Sequence, residues 1–398
     1  MKIAMIHTPF SARAGGERQI LTLALELQKL GHKVEIFTNY ADESTFPELF
    51  SKLTVNVVTF NPKFPEPLDR LFKKYGAFFK NYAYTFPSMF ALAKKITKDF
   101  DVINNHNFPT EWAAFLAKNR LKIPVVWMCN EPPFWYLHPQ QRQGLNGFNW
   151  PVYSIFDKLA VKQIDEILAL SNLSAKTIWA TYHRSSRVVR SGVNVDFFHN
   201  APGKIFRKKY SLENDFVLLQ VGTLIYYKRQ EDSITALAQL SKKHDNVKLI
   251  IDGIGDRKPL MALAQKLGVQ DKIIFLHASS DEELAETYAA CDVFLYPSDT
   301  SWGLVVAEAM AASKPIIISK KSGASEIVQD RITGFVVNHE KPMEIADRLE
   351  LLINNPKLVD ALGDNCYRYV KENLSWEKFA KDIENIFRQT IERPRSKS

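Results

Sequence analysis

From Phe216 onward, short apolar runs alternate with amphipathic ones at a regular interval, and this constrains the fold more than any other feature of the chain. The runs Phe216–Gly222, Val247–Asp252, Ile273–Leu276, Val293–Tyr296 and Pro315–Ser319 are separated by helical patterns at Gln230–Lys242, Lys258–Leu267, Asp281–Ala290 and Leu304–Ala312. Strands that read as continuous Val, Ile and Leu are buried on both faces, and parallel neighbours need a crossover helix between them. Strand, helix, strand at this spacing predicts a doubly wound parallel α/β sheet.

The first half repeats the plan. Lys2–His7 reads as a strand, Thr8–Gly16 as a polar turn, and Glu17–Leu30 as a helix with Ile20, Leu23, Ala24 and Leu27 on one face. Gly31 ends that helix before the strand Val34–Thr38, and further strands are expected at Val55–Phe60, Asp101–Asn104, Pro124–Met128, Asp165–Leu170 and Arg187–Val193. A chain of 398 residues has room for two cores. The expected division is 1–195, 196–370 and a final helical piece, 371–398, with Trp376 and Phe379 packing back onto the first domain. The cleft between two such domains is the expected site.

Three cysteines, Cys129, Cys291 and Cys366, are odd in number and far apart, which supports neither a disulfide framework nor a zinc site. The opening MKIAMIHTPF reads as a strand rather than a signal peptide, and no apolar run reaches the roughly 18 residues of a membrane span. The cytoplasm is the expected location. Net charge is +8, and residues 63–98 hold eight Lys or Arg against Glu66 and Asp69, interleaved with aromatics such as Phe72, Phe79, Phe86 and Phe90. Such a segment suits peripheral contact with an anionic membrane, on the inner face of the cell membrane. It equally suits a helix whose aromatics face a core and whose lysines face water. No nucleic-acid readout motif accompanies the charge.

The candidate site residues fall at strand ends and helix starts. Gly303 lets a ligand approach the helix that follows, and the N–H groups of Leu304 and Val305 make an anion site. Glu308 lies four residues past Leu304, about 6 Å along the axis on the same face, a spacing that fits a diphosphate at the helix end and a ribose diol at the carboxylate. A capped core helix with a solvated Glu is the plainer alternative. Gly15 and Gly16 fall where a βαβ unit meets its ligand, His106 follows a strand, and Asn130 with Glu131 opens an exposed loop suited to an acceptor. Lys228 and Arg229 could stabilise a departing phosphate or form a surface pair. Gly253 and Gly255 lack the third glycine of a dinucleotide fingerprint, and no Walker lysine, HExxH or GxSxG motif is present.

Taken together, AGGERQ near the start, HN at 106–107, SGVNVDFF at 191–198, VGTLIYYKRQED at 221–232, IDGIGD at 251–256, YPSDTSWGLVVAEAMA at 296–311 and GASEIV at 323–328 resemble family 4 of the retaining GT-B glycosyltransferases. The resemblance covers nearly the whole chain in the family's order. It implies two Rossmann-like domains facing across a cleft, a nucleotide diphosphate sugar donor on the second and a glycan or lipid-linked acceptor on the first. It implies transfer of a hexose such as mannose in polysaccharide or glycolipid synthesis. It assigns catalytic roles to His106, Lys228 and Glu308, and a donor set of Gly15, Gly16, Gly222, Thr223, Arg229, Gly253, Gly255, Ser298, Thr300, Trp302, Gly303, Leu304, Val305 and Glu308. No cofactor and no metal are implied. Two positions depart from the pattern: Thr300 stands where the first Glu of E-x7-E belongs, and Thr223 stands where an Arg is usual, a lost cation that Arg229 could offset. An epimerase or hydrolase of the same plan, or a non-catalytic sugar-nucleotide binder, are the alternatives.

Overall fold

The computed structural model describes residues 1–60, 77–133, 150–277, 280–300 and 302–394, with the backbone alone for 77–85 and 150–152. Contacts divide the chain into two units, Met1–Arg190 with Phe379–Ser398, and Ser191–Lys378.

In the first unit β1 (Lys2–Ile6), α1 (Gly15–Lys29), β2 (Lys33–Thr38), α2 (Pro47–Phe50) and β3 (Thr54–Val57) are followed by α3 (Ala77–Lys95) and β4 (Val102–His106). Then come α4 (Thr110–Leu121), β5 (Val125–Met128), α5 (Trp150–Lys162), β6 (Glu166–Ala169), α6 (Asn172–Tyr182) and β7 (Arg187–Val188). The strands form one parallel sheet in the order β3-β2-β1-β4-β5-β6-β7, with Ile6 opposite Asn105. Alternate strand residues point to opposite faces, so Ile103, Val125 and Ile167 meet one helical layer, which contributes Met89, Leu92, Trp112, Val161 and Ile178. On α1, Ile20, Leu23, Ala24 and Leu27 are buried, as their spacing predicts.

The second unit contains α7 (Val195–His199), α8 (Gly203–Lys209), β8 (Phe216–Val221), α9 (Gln230–Leu240), β9 (Val247–Asp252), α10 (Lys258–Lys266), β10 (Ile273–Leu276) and α11 (Asp281–Ala290). β11 (Val293–Tyr296), α12 (Leu304–Ala311), β12 (Ile316–Ser319), β13 (Gly334–Val337), α13 (Pro342–Ile353) and α14 (Pro356–Asn373) complete it. Its sheet is parallel in the order β10-β9-β8-β11-β12-β13. Val217, Leu219 and Val221 enter the core shared with α11 and α12, while Leu218 between them enters the core shared with α9 and α13.

The last helix, α15 (Trp376–Glu392), is the element whose sequence most clearly dictates its place. Phe379, Ala380, Ile383, Ile386, Phe387 and Thr390 are buried on one face, the recurrence of a helix laid on a core. It belongs to the first unit from Phe379 on. His32 Nε2 lies 3.1 Å from Glu384 Oε1, and Arg393 donates to Glu166 Oε2 at 2.6 Å.

Three boundaries differ from the sequence reading. The strand expected to run to Val193 stops at Val188, because Val193 donates to Leu374 O at 2.8 Å and joins the second unit. The division therefore falls after Arg190 rather than 195, and residues 371–378 stay with the second unit. Trp376 does not share the role of Phe379: its backbone lies against Gly192, where a Cβ would sit 2.5 Å from Trp376 Cα. The stretch Pro202–Tyr210, which carries little pattern, holds the short helix α8 with Phe206 as its buried residue. Among the described residues, no helix is long and apolar enough to cross a membrane.

Candidate active site

In an open α/β sheet the ligand crevice lies outside the carboxyl ends of the strands where the order reverses. In the second unit those strands are β8 and β11. Past β8 the chain turns at Gly222, whose φ of 147° suits glycine. The next loop is fastened to it by Gly222 N–H to Asp252 O at 2.9 Å and Leu224 N–H to Ile254 O at 2.8 Å. The approach is so close that a Cβ on Gly253 would lie 2.0 Å from Gly222 O, and one on Gly255 2.7 Å from Leu224 Cβ. These two glycines are packing glycines of the loop pair, and Thr223 takes part through its carbonyl, which accepts from Gln230 Nε2 at 3.1 Å.

Lys228 ends a short turn, Tyr226–Lys228. Its carbonyl accepts from Gln220 Nε2 at 2.8 Å, and Gln220 Oε1 in turn accepts from Ser233 Oγ at 2.7 Å, so buried polar groups fix the lysine's base. Lys228 Nζ donates to Tyr296 OH at 3.1 Å. That hydroxyl is 3.0 Å from Thr300 Oγ1, which is 3.2 Å from Ser298 Oγ, and Ser298 donates to Tyr227 O at 3.2 Å. A Cβ on Gly303 would stand 2.5 Å from Tyr296 OH. The cation, the tyrosine, the two hydroxyls and the glycine that opens α12 therefore form one connected group. Thr300 fills the acidic position of the motif with a buried hydroxyl.

Arg229 does not join it. Its guanidinium pairs with Glu231 at 3.0 Å, Asp232 at 2.8 Å and Glu340 at 3.4 Å. These carboxylates raise its pKa, the Asp232 hydrogen bond most of all. The expectation that it would replace the cation missing at Thr223 is corrected: three acids hold it at the start of α9.

The helix α12 begins at Gly303 with no side-chain cap. The amides of Leu304 and Val305 have no carbonyl inside the helix to receive them, while Val306 N–H turns back to Gly303 O at 3.0 Å. Glu308 is buried, and its Oε2 accepts from Tyr288 OH at 2.9 Å. Burial and that carboxylate push the Tyr288 phenol well above its ordinary pKa, which keeps it a donor. Trp302 is half-buried, and its indole N–H is enclosed without an acceptor among the described residues.

In the first unit the order reverses between β1 and β4, where His7, just past β1, lies beside His106, the last residue of β4. His106 is fully buried, with Nε2 2.8 Å from Asn104 Oδ1. Asn104 Nδ2 donates to Val126 O at 3.0 Å, which makes its Oδ1 the acceptor and His106 Nε2 the protonated nitrogen. Nδ1 is left as a buried lone pair without a partner among the described residues. Burial first, then His7, hold the His106 pKa well below 6.5, and burial takes His7 to about 4 against a bond to the His106 backbone. Both rings are neutral near pH 7.

Gly16, near the start of α1, sits where a Cβ would be 3.0 Å from Asn107 Nδ2 and 4.0 Å from Asn130 Nδ2. Asn130 donates to Gln19 Oε1 at 3.1 Å. The glycine turn, the end of β4 and the end of β5 thus converge, whereas Glu131 is exposed. Sequence reasoning missed Tyr288, Tyr296, Gln220 and His7. Each reads as an ordinary core or strand residue, and Tyr296 reaches Lys228 across 68 positions. Among the described residues there is no group of three His, Cys, Asp or Glu that could hold a metal.

Residues 13–197 match the family described as Glycosyltransferase Family 4, and residues 203–369 match Glycosyl transferases group 1. The chain is 26% identical to a D-inositol 3-phosphate glycosyltransferase of Thermobispora bispora, over 98% of this chain and 94% of the relative. It is 25% identical to an MMP alpha-(1->4)-mannosyltransferase of Mycolicibacterium hassiacum, over 99% of each. Among solved structures, Anabaena HepE in complex with UDP and glucose superposes with a TM-score of 0.79 at 19% identity, covering 98% of this chain and 100% of that one. With two parallel-sheet Rossmann-like units and both halves matched in order, the chain belongs to the family 4, group 1 glycosyltransferases of the GT-B fold.

Proposed function

We propose that this glycosyltransferase moves a hexose, mannose first among the candidates, from a nucleotide diphosphate sugar to a glycan or lipid-linked acceptor with retained configuration. The observation that carries the reading is the uncapped start of α12 with Lys228 on one side, through Tyr296, and the buried Glu308 further along the helix. The donor's diphosphate meets the amides of Leu304 and Val305 and the Lys228 ammonium, which supply the charge that a divalent ion supplies elsewhere. Glu308, steadied by Tyr288, takes the ribose diol. Gly16, Asn107 and Asn130 of the first unit serve the acceptor, and the neutral, fully buried His106, held by Asn104, orders the end of β4 beside them. The mannosyltransferase of M. hassiacum and the UDP complex of HepE support the choice of sugar and donor class.

In the step itself the bond from the anomeric carbon to the phosphate oxygen breaks while the acceptor oxygen bonds to the same face. The acceptor proton passes to the departing phosphate oxygen. Negative charge grows on that phosphate in the transition state, where Lys228 and the helix start stabilise it most. The test is proton NMR of the product formed from an α-configured donor, with UDP-glucose and GDP-mannose assayed in parallel. An α-linked product that requires acceptor is expected. A β-linked product contradicts retention, and free sugar released at the same rate without acceptor contradicts transfer.

A further inference from the structure

Two buried acids of the first unit take no part in the proposed reaction. Glu111 stands in the first turn of α4 and Asp157 on α5, and both are fully buried. Buried polar atoms are hydrogen-bonded as a rule, so an exception calls for an account. Asp157 is well supplied: Trp112 Nε1–H donates to its Oδ1 at 3.3 Å, and Tyr182 OH of α6 donates to its Oδ2 at 2.9 Å. Neither oxygen of Glu111 receives a donor among the described residues. What Glu111 meets instead is the Asp157 carboxyl, within hydrogen-bonding reach.

Two carboxyl groups in contact inside a protein cannot both be ionised, and the one that keeps its proton gives it to the other. Trp112 and Tyr182 stabilise charge on Asp157, which leaves the proton on Glu111. Burial first, then Asp157, hold the Glu111 pKa well above its ordinary 4.5, against its own backbone amide. The other titratable groups around the pair do not reverse this. Cys129, just past β5, stays a neutral thiol, because burial and then the two acids push its pKa up. Glu131, which acts on Cys129 too, is exposed, as is Lys158 beside Asp157. On β4, His106 answers to burial and to His7. The basic segment 63–98 enters this layer through α3, but 61–76 and the side chains of 77–85 lie outside the described residues. Its Lys94 and Lys95 are exposed beside the last turn of α4, where Arg120 Nη2 donates to Ala93 O and Ile96 O, each at 2.7 Å. That turn is about 14 Å along the helix axis from Glu111.

We propose that one proton held between the Glu111 and Asp157 carboxyls is a pH-sensitive latch joining α4 to α5 and α6, with Glu111 donating and Asp157 accepting. The latch closes on the turn that carries Asn107, whose Nδ2 a Cβ on Gly16 would approach to 3.0 Å. The folded chain favours protonated Glu111, so this stabilisation is complete below the ordinary carboxylate range. It is lost as pH rises from there toward the raised value, the unfolding constant growing about tenfold per pH unit. The latch does not depend on the donor site, and its failure would leave the proposed reaction standing.

Glu111→Gln tests it, because Gln fills the same space and still donates an N–H to Asp157 but cannot ionise. Thermal unfolding of the full chain is followed from about pH 6 to about pH 8, and infrared spectra of both proteins are taken at about pH 7. The variant is expected to fold, and the gap in Tm should move in its favour as pH rises, the ratio of wild-type to variant unfolding constants growing about tenfold per unit. The wild-type spectrum should contain the C=O stretch of a protonated carboxylic acid that the variant lacks, a signature that packing alone does not produce. A wild-type spectrum without that band overturns the proposal. So do a Tm gap that is the same at every pH, a band that survives in Glu111→Gln, or a Glu111→Gln chain that does not fold.

Discussion

Lys228→Ala is expected to lower kcat by about 10²- to 10³-fold while the acceptor KM stays within a few-fold of wild type. Removing one donor that stabilises developing charge has this size of effect in other enzymes. The reason it should be near the upper end here lies in what surrounds the lysine. The usual Arg partner position holds Thr223, and Arg229 is bound to Glu231, Asp232 and Glu340, so neither supplies a second cation. Lys228 is itself aimed by Tyr296 OH at 3.1 Å and anchored through Gln220 and Ser233. Steady-state rates at saturating donor and varied acceptor read the result. A kcat within threefold of wild type would mean that the leaving phosphate is neutralised elsewhere.

Gly253→Ala should be among the most damaging single methyl groups in the second unit, alongside Gly334→Ala, whose Cβ would likewise fall 2.0 Å from a carbonyl oxygen, that of Ile316. The Cβ of Gly253→Ala would fall 2.0 Å from Gly222 O and 2.8 Å from Gly222 C, both main-chain atoms that cannot rotate aside. Relief requires parting the two loops, and with them the bonds Gly222 N–H to Asp252 O and Leu224 N–H to Ile254 O. A cost of about 3 kcal/mol is expected from overpacking against fixed backbone, which corresponds to a fall of roughly 6–12 °C in Tm. Gly268→Ala is the control: its φ is 70° but the space around it is open, so only the backbone penalty of about 1 kcal/mol applies. Thermal unfolding followed by circular dichroism separates the two. Equal melting temperatures would show that the loop pair yields easily.

The sequence made the architecture readable because parallel strands announce themselves. The run Val293–Tyr296 is apolar throughout, Val247–Asp252 is apolar but for Lys248 and the closing Asp252, and the helices between them are amphipathic. What stayed hidden was pairwise geometry. Nothing local tells that the Tyr296 hydroxyl meets Lys228, that Tyr288 donates to Glu308, or that His7 and His106 become neighbours. Those contacts arise from strand order. Arg229 shows the opposite difficulty: its adjacency to Lys228 suggested a shared task, but a left-handed backbone at φ 56° turns it toward acids that begin the next helix. Strand β13 was missed because a four-residue element led by Gly334 gives too short a pattern, and α8 because only Phe206 of its seven residues is buried.

The central claim is that the start of α12 and Glu308 hold a nucleoside diphosphate. Glu308→Ala tests it through calorimetric titration of UDP and GDP, with circular dichroism confirming that the fold is kept. Removing the carboxylate takes away the ribose contact and leaves Tyr288 OH buried without its acceptor, and a lost hydrogen bond to a charged group weighs about 1.5–3 kcal/mol. The wild type should bind one of the two diphosphates, and the variant should bind it roughly 10- to 100-fold more weakly. Unchanged affinity in a folded Glu308→Ala protein would contradict the account.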